Sequence, residues 1–255
     1  MRLDVYLVTK SFCDSRSRAA ELIKNGFVKV NGKKELKASK DVDGCVVELL
    51  GDLKYVSRAG QKLEAALEEF KIDVKGLFCL DIGASTGGFT QCLLSRGADF
   101  VYALDVGRSQ LHESLRNDLR VCDMPGINAR NVTKELFEKK IDIVTMDVSF
   151  ISQTLLYGTV ASVLDANGVF ISLVKPQFEA GRENIGKGGI VRESDKLYDD
   201  IFKRLSKAAL DNGLKMVKTI ESPIKGGDGN REFLACFYPS EESGLDKSDE
   251  SSTYR

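Results

Sequence analysis

The chain has one histidine, no paired cysteines and no long apolar run. Each absence removes a class of function. His112 follows Asp105 in a polar stretch, and without a second histidine no Ser–His–Asp or Cys–His nucleophile system can be assembled. His112 therefore reads as an exposed residue rather than a catalytic one. The six cysteines (13, 45, 79, 92, 122, 236) include no C-x-x-C pair, and several lie in apolar, strand-like runs. Zinc ligation and a disulfide framework are not expected, and no metal is. The longest apolar candidate, 158–174, is interrupted by Asp165 and Asn167, short of the roughly 20 residues a membrane span needs. Met1-Arg2-Leu3-Asp4 has no apolar core of a secretory signal. A cytoplasmic protein without a membrane partner is expected.

Net charge is also scarce: the formal total is −1. That near-neutrality hides an asymmetry. Residues 1–47 hold ten Lys/Arg against six Asp/Glu, whereas 240–255 hold five acids against Lys247 and Arg255. The head is basic and the tail acidic. The Ser-, Glu- and Asp-rich tail, 240–255, reads as disordered.

What is present begins with the head, residues 1–50. Apolar positions 3, 7 and 8 have helical spacing. Asp14-Ser15-Arg16-Ser17-Arg18 offers an N-cap before a helix from Ala19 to Lys24. Phe27-Val28-Lys29-Val30 alternates as a strand, Asn31-Gly32 signals a type I′ hairpin, and Val42 to Leu49 supplies further strand. Two short helices and a small sheet, carrying Arg2, Arg16, Arg18, Lys24 and Lys29, resemble the small RNA-binding domain of the ribosomal-protein S-four type. Residues 51–76 are a junction with an amphipathic helix marked by Leu63, Ala66, Leu67 and Phe70.

From residue 77 to 239 the pattern alternates. Strands are expected near 77–82, 100–105, 119–122, 141–147, 168–174, 215–220 and 232–238, with helices near 88–96, 108–117, 133–139, 152–164 and 194–212. This order implies an α/β fold with a doubly wound, mostly parallel sheet; the last strands are close enough to pair antiparallel. The chain is organised around Cys79-Leu80-Asp81-Ile82-Gly83-Ala84-Ser85-Thr86-Gly87-Gly88-Phe89-Thr90. It reads as strand, glycine-rich turn and helix start, the place where open α/β sheets bind nucleotides. It lacks the Lys of a P-loop, and Ser85 occupies the second glycine position of G-x-G-x-x-G. Asp105 ends the next apolar run, 24 residues after Asp81, close to the spacing of roughly 20 expected for a ribose-binding acid. Asp81, the glycines and Asp105 together point to S-adenosyl-L-methionine.

Three more charged residues border the same crevice. Asp147 ends the run 141–146, Lys175 ends the run 169–174, and Glu232 precedes the last strand. Lys62 comes from the junction helix. The glycine-rich loop 181–189, with Arg182 and Lys187, is placed to act as an RNA clamp or lid.

Five blocks in this order resemble the TlyA family, whose catalytic part is FtsJ-like: Tyr55-Val56-Ser57-Arg58-Ala59-Gly60-Gln61-Lys62-Leu63-Glu64, the glycine turn at 81–90, Asp147-Val148-Ser149-Phe150-Ile151-Ser152, Leu173-Val174-Lys175-Pro176-Gln177-Phe178-Glu179 and Gly229-Asn230-Arg231-Glu232-Phe233-Leu234. The resemblance covers about residues 1–239. It implies a Rossmann-like class I methyltransferase sheet with helices on both faces behind the RNA-binding head. It implies 2′-O-ribose methylation of cytidine in ribosomal RNA, mainly large-subunit RNA, on the RNA or a ribosomal subunit. Lys62, Asp147, Lys175 and Glu232 would form its catalytic tetrad. With no histidine placed to take the hydroxyl proton, Lys175 is the expected acceptor, the alternative being that it only steers the phosphate. Asp81, Gly83, Ala84, Ser85, Gly87, Gly88, Phe89, Asp105 and Asp123 would face the cofactor, and Arg58 would join the RNA-binding set. The chain departs from the pattern at Ala59, in place of Gly, and over 122–127, where an acidic-Arg-Thr pattern is usual. Members have also carried the label haemolysin. A membrane-active haemolysin and an inactive RNA-binding module are the competing readings.

Overall fold

Leu3 and Leu7 lie about one helical turn apart and are wholly buried in the computed structural model, which describes residues 1–192, 194–227 and 229–240. They set α1 (Leu3–Thr9) against α2 (Arg16–Lys24), which buries Ala19, Leu22 and Ile23. Ser15 caps α2, its hydroxyl accepting the Arg18 N–H at 3.2 Å. A three-stranded antiparallel sheet follows: β1 (Val28–Val30), β2 (Lys33–Lys34) and β3 (Val47–Leu49), in the order β2-β1-β3. Asn31 and Gly32 both have positive φ, 49° and 76°, as a type I′ turn requires.

α3 (Ala59–Phe70) leaves the head and packs its Leu63, Ala66 and Leu67 into the second domain. It shares an apolar cluster with β4 (Phe78–Ile82), α4 (Gly88–Ser95) and β5 (Phe100–Asp105). The chain continues through α5 (Glu113–Arg116), β6 (Val121–Pro125), β7 (Ile141–Met146), α6 (Tyr157–Val163), β8 (Leu164–Val174), α7 (Pro176–Glu179), α8 (Asp195–Leu210), β9 (Leu214–Glu221) and β10 (Phe233–Pro239). The large sheet has the order β6-β5-β4-β7-β8-β10-β9. Its first five strands are parallel, and β10 is antiparallel to both β8 and β9. Along β8, Phe170 and Val174 join the cluster under α6 and α8, while Ile171 and Leu173 join the one under α3 and α4. Burial on both faces explains why the strands read as continuous apolar runs.

The order reverses between β4 and β7, so the carboxyl ends of those two strands border the crevice. Three expected helices come out shorter. The one at 108–117 is reduced to α5, because Ser109 has φ 56° and His112, with ψ 142°, is an extended cap that lets the helix begin only at Glu113. The segment 133–139 forms only a 3-10 turn, Lys134–Leu136, with Val132 and Phe137 buried on either side. The segment 152–164 splits into a 3-10 turn, Gln153–Leu156, and α6, because β8 already starts at Leu164. The third strand runs to Pro125, beyond its expected end at 122, because it pairs along β5 as far as Asp105. The expectation for the acidic tail lies, from 241 on, outside the described residues.

Candidate active site

Asp81 sits on the face of β4 that meets α4. It is wholly buried and accepts hydrogen bonds from Thr90 Oγ1 at 2.7 Å and Thr145 Oγ1 at 3.0 Å. Burial pushes its carboxyl up to about 7, with the Asp147 charge adding to the rise and the two threonines opposing it. Expected at the cofactor, it instead ties α4 and β7 to β4. The turn beyond it is built for close approach. Gly83 has φ 80°, and a Cβ there would run into the Asp147 carbonyl oxygen. That contact is matched by the Asp147 N–H donating to the Ile82 carbonyl at 2.9 Å. Gly88, the first residue of α4, lies against Ser57, Ala59 and Gly60, so a side chain there would force α3 away. Gly87 caps α4 in the left-handed region. Ser85 donates its N–H to Asp105 Oδ2 at 2.8 Å, and Gly107 N–H binds Asp105 Oδ1 at 2.7 Å. Two backbone donors thus hold the Asp105 carboxylate, and each oxygen keeps a free lone pair.

A cavity of about 510 Å³ opens beside this turn, bordered by Gly83, Ser85, Asp105, Val106, Asn128 and Asp147. A second, about 260 Å³, shares Gly83, Ser85 and Asp147 and adds Ala84, Phe89, Arg58 and Lys62. Asp147 therefore stands where the two meet. The larger cavity suits S-adenosylmethionine: apolar walls from Leu104, Val106 and Ile127, a fixed carboxylate at one side, and a turn whose backbone admits no side chain at Gly83. Asp123, expected on the adenine side, lies within β6 opposite Ala103 and does not border the cavity; Asn128, past the end of that strand, does.

The four charged residues form two ion pairs. Lys175 Nζ lies 2.6 Å from Asp147 Oδ1 and donates to Ser149 Oγ at 2.8 Å. Lys62 Nζ is paired with Glu232 Oε2, and both side chains are almost fully buried. Gly226 leans on that carboxylate, leaving no room for a Cβ between them. Lys62 and Asp147 border the same cavity, so the two pairs approach it from α3 and β7. Ser149 carried no signal in the sequence beyond its place after Asp147. Phe150 was equally silent: its φ is 64°, it is 91% exposed, and its ring lies 5.2 Å from that of Phe178.

The basic residues divide. Lys24, Arg182 and Lys187 are exposed and Lys29 is half-buried. Arg2 and Arg16 are exposed but both bind Asp4, whose carboxyl they hold far below the usual range. Arg18 is turned inward: it donates to the Tyr55 carbonyl at 2.5 Å and to Asp52 at 2.6 Å, so it joins head to junction. Arg58 pairs with Glu21 at 3.5 Å across the same seam. His112 is half-buried and is also a strut, with Nε2 2.7 Å from Asp14 and Nδ1 2.8 Å from Ser114 Oγ. Among the described residues no group of three or more His, Cys, Asp or Glu is placed to hold a metal, and no helix is long and apolar enough to cross a membrane.

Comparison with known proteins agrees with this geometry. Residues 55–238 match the model of the FtsJ-like methyltransferases, and residues 1–47 match that of the S4 domain. Hemolysin A of Brachyspira hyodysenteriae is 47% identical over 239 residues, 93% of this chain and 99% of that protein. The 16S/23S rRNA (cytidine-2'-O)-methyltransferase TlyA of Mycobacterium tuberculosis is 40% identical over 236 residues, 91% of this chain and 88% of that protein. The solved structure of a putative hemolysin from Streptococcus thermophilus superposes with a TM-score of 0.77 at 40% identity, covering 97% of this chain and 91% of that one. With its glycine turn, its paired lysines and acids and its matching head, the chain belongs to the FtsJ-like methyltransferases that carry an S4 domain, the family of TlyA.

Proposed function

We propose that this protein methylates the ribose 2′-hydroxyl of a cytidine in ribosomal RNA, with large-subunit RNA the first substrate to test. The observation that supports the reading is the meeting of the two cavities at Asp147, which is paired with Lys175, while Lys62 of the second ion pair borders the smaller cavity. S-adenosylmethionine, when bound, supplies an electrophilic methyl group. Asp105 would hold its ribose hydroxyls, and the backbone from Gly83 to Ser85 would border its methionine end. Asp81 shapes that turn from behind.

The remaining work falls to side chains. A ribose hydroxyl is a weak nucleophile, so it must be aligned and must lose a proton as its bond to carbon forms. Lys175 must first give up one ammonium proton to solvent; its Nζ lone pair then accepts the hydroxyl proton as the oxygen–carbon bond forms. Asp147 and Ser149 hold Nζ in place, and the carboxylate stabilises the ammonium that results. Lys62, braced by Glu232, offers positive charge to the RNA phosphate. The exposed ring of Phe150 offers a face for the target base. Lys24, Lys29, Arg182 and Lys187 supply further phosphate contacts. The domain limits follow this division: residues 1–50 recruit RNA, 51–76 join the two and lend Lys62 to the site, and 77–239 carry the reaction. A ribosomal substrate places the enzyme in the cytoplasm.

The test is single-turnover transfer of labelled methyl to 16S and 23S RNA and to both subunits. Lys175→Arg keeps the charge but cannot act as a base at any practical pH. Transfer should collapse while RNA and cofactor binding persist. Near-normal transfer by this variant would reduce Lys175 to a binding residue. Because relatives carry the name hemolysin, liposome leakage is measured alongside; leakage without transfer would sink the methyltransferase reading.

A further inference from the structure

Glu179 takes no part in the mechanism above, yet it is a buried carboxylate, 5% exposed, at the end of α7. Its two oxygens are both used. Oε1 accepts the Gln153 N–H at 2.9 Å and Oε2 accepts the Ser152 hydroxyl at 2.7 Å. Arg204 of α8 stands 3.6 Å from Oε2 and also donates to the Glu179 carbonyl. These contacts join two segments that also touch where Lys175 meets Ser149 and where the Phe150 and Phe178 rings meet. One follows β7 and carries Asp147, Ser149 and Phe150; the other follows β8 and carries Lys175. Gln153 adds a second stitch, accepting the hydroxyl of the buried Ser172 at 2.7 Å.

Packing alone does not call for a carboxylate here, since an apolar residue of similar size fills space without a desolvation cost. What the carboxylate adds is direction. The segment after β7 is pinned at its start, where Asp147 N–H binds the Ile82 carbonyl, and at its end, where Ser152 and Gln153 bind Glu179. Between the pins Phe150 holds a left-handed backbone that a bulky residue keeps only when its surroundings enforce it.

We propose that Glu179 is a positioning residue: its carboxylate clamps the segment after β7 to the segment after β8 and so holds Ser149 against Lys175 and Phe150 against Phe178. The proposal rests on the methyltransferase reading for its kinetic consequence, but the clamp itself can be tested without it. Burial raises the Glu179 carboxyl, and Ser152, Gln153 and Arg204 oppose that rise, as expected of a group kept in place by its donors.

The experiment compares Glu179→Leu with Glu179→Gln in the full chain. Leucine keeps the bulk and loses the clamp. Glutamine keeps an acceptor for Gln153 N–H and can donate to the Ser152 oxygen. Misplacement by about 1 Å costs on the order of 100-fold in rate, so single-turnover transfer by Glu179→Leu should fall by about that factor, with the cofactor dissociation constant unchanged. Glu179→Gln should recover most of the rate. Because the chain has no tryptophan, Phe150→Trp gives a single reporter on the clamped segment. Its fluorescence anisotropy should drop when Glu179→Leu is added and recover with Glu179→Gln. Ser152→Ala, which removes one arm only, should give a smaller drop and serves if Glu179→Leu does not fold. Unchanged anisotropy and rate in Glu179→Leu, or in Ser152→Ala where that replaces it, overturn the clamp. A parent protein that transfers no methyl overturns the proposed function instead and leaves the anisotropy result standing.

Discussion

Glu232→Leu tests the buried ion pair most directly. Lys62 and Glu232 are 8% and 4% exposed, so each is the other's replacement for water. Removing the acid leaves an ammonium buried without a partner, which costs roughly 3–5 kcal/mol. Replacing both, as Lys62→Met with Glu232→Leu, removes the charge as well as the pair and should restore most of that loss. For a chain of this size each kcal/mol moves the melting temperature by roughly 2–4 °C, so the single variant should melt about 6–20 °C below the parent. Urea unfolding of parent, single and double variants at pH 7 gives the comparison in free energy. Methyl transfer should be lost in both variants, which separates the role in the reaction from the role in stability. If Glu232→Leu unfolds within about 1 kcal/mol of the parent, a value typical of exposed pairs, the pair is not a buried one in solution. A double variant no more stable than the single one would refute the charge argument and leave only a packing defect.

Asp105→Ala should raise the cofactor dissociation constant strongly by calorimetry, since charge-assisted bonds to the ribose go and the Ser85 and Gly107 N–H groups lose their acceptor. Asp81 is raised to about 7 in the folded protein against an ordinary carboxyl near 3.9 unfolded. Its contribution to stability is therefore complete below the unfolded value and lost as pH rises through about 7. Urea midpoints from pH 5 to 8 should fall with pH in the parent, and Asp81→Asn should flatten that limb. Lys24→Ala with Lys29→Ala should weaken RNA binding and lower the slope of log affinity against log salt by about 1 per lost phosphate contact. Arg18→Ala should instead reduce stability, because it cuts the bonds from head to Tyr55 and Asp52.

Much of the fold was legible because burial and backbone chemistry leave local marks. Apolar runs marked all seven strands of the large sheet, and Asn31-Gly32 marked its turn. The helices at 108–117 and 133–139 misled because apolar spacing there serves anchoring of a loop, and the backbone is left-handed at Ser109 and extended at His112, Thr133 and Phe137. Asp81 and Asp105 look alike in the sequence, each following an apolar run near the end of a strand. Only the fold turns one inward to Thr90 and Thr145 and leaves the other at a cavity wall. Asp123 shows the same limit, since its stretch borders the cavity only from Ile127 and Asn128 on, past the end of its strand.

The sequence by itself determined the order of the elements, the basic head, the glycine turn and which charged residues stand at strand ends. These depend on residue type and near neighbours. The tertiary structure alone decided the pairing. Lys62 and Glu232 are 170 residues apart, and Ser152 reaches Glu179 over 27. Such contacts come from strand order and helix packing, so no local pattern announces them. Burial then decides their weight, because a charge removed from water needs its partner, whereas an exposed one such as Lys24 does not.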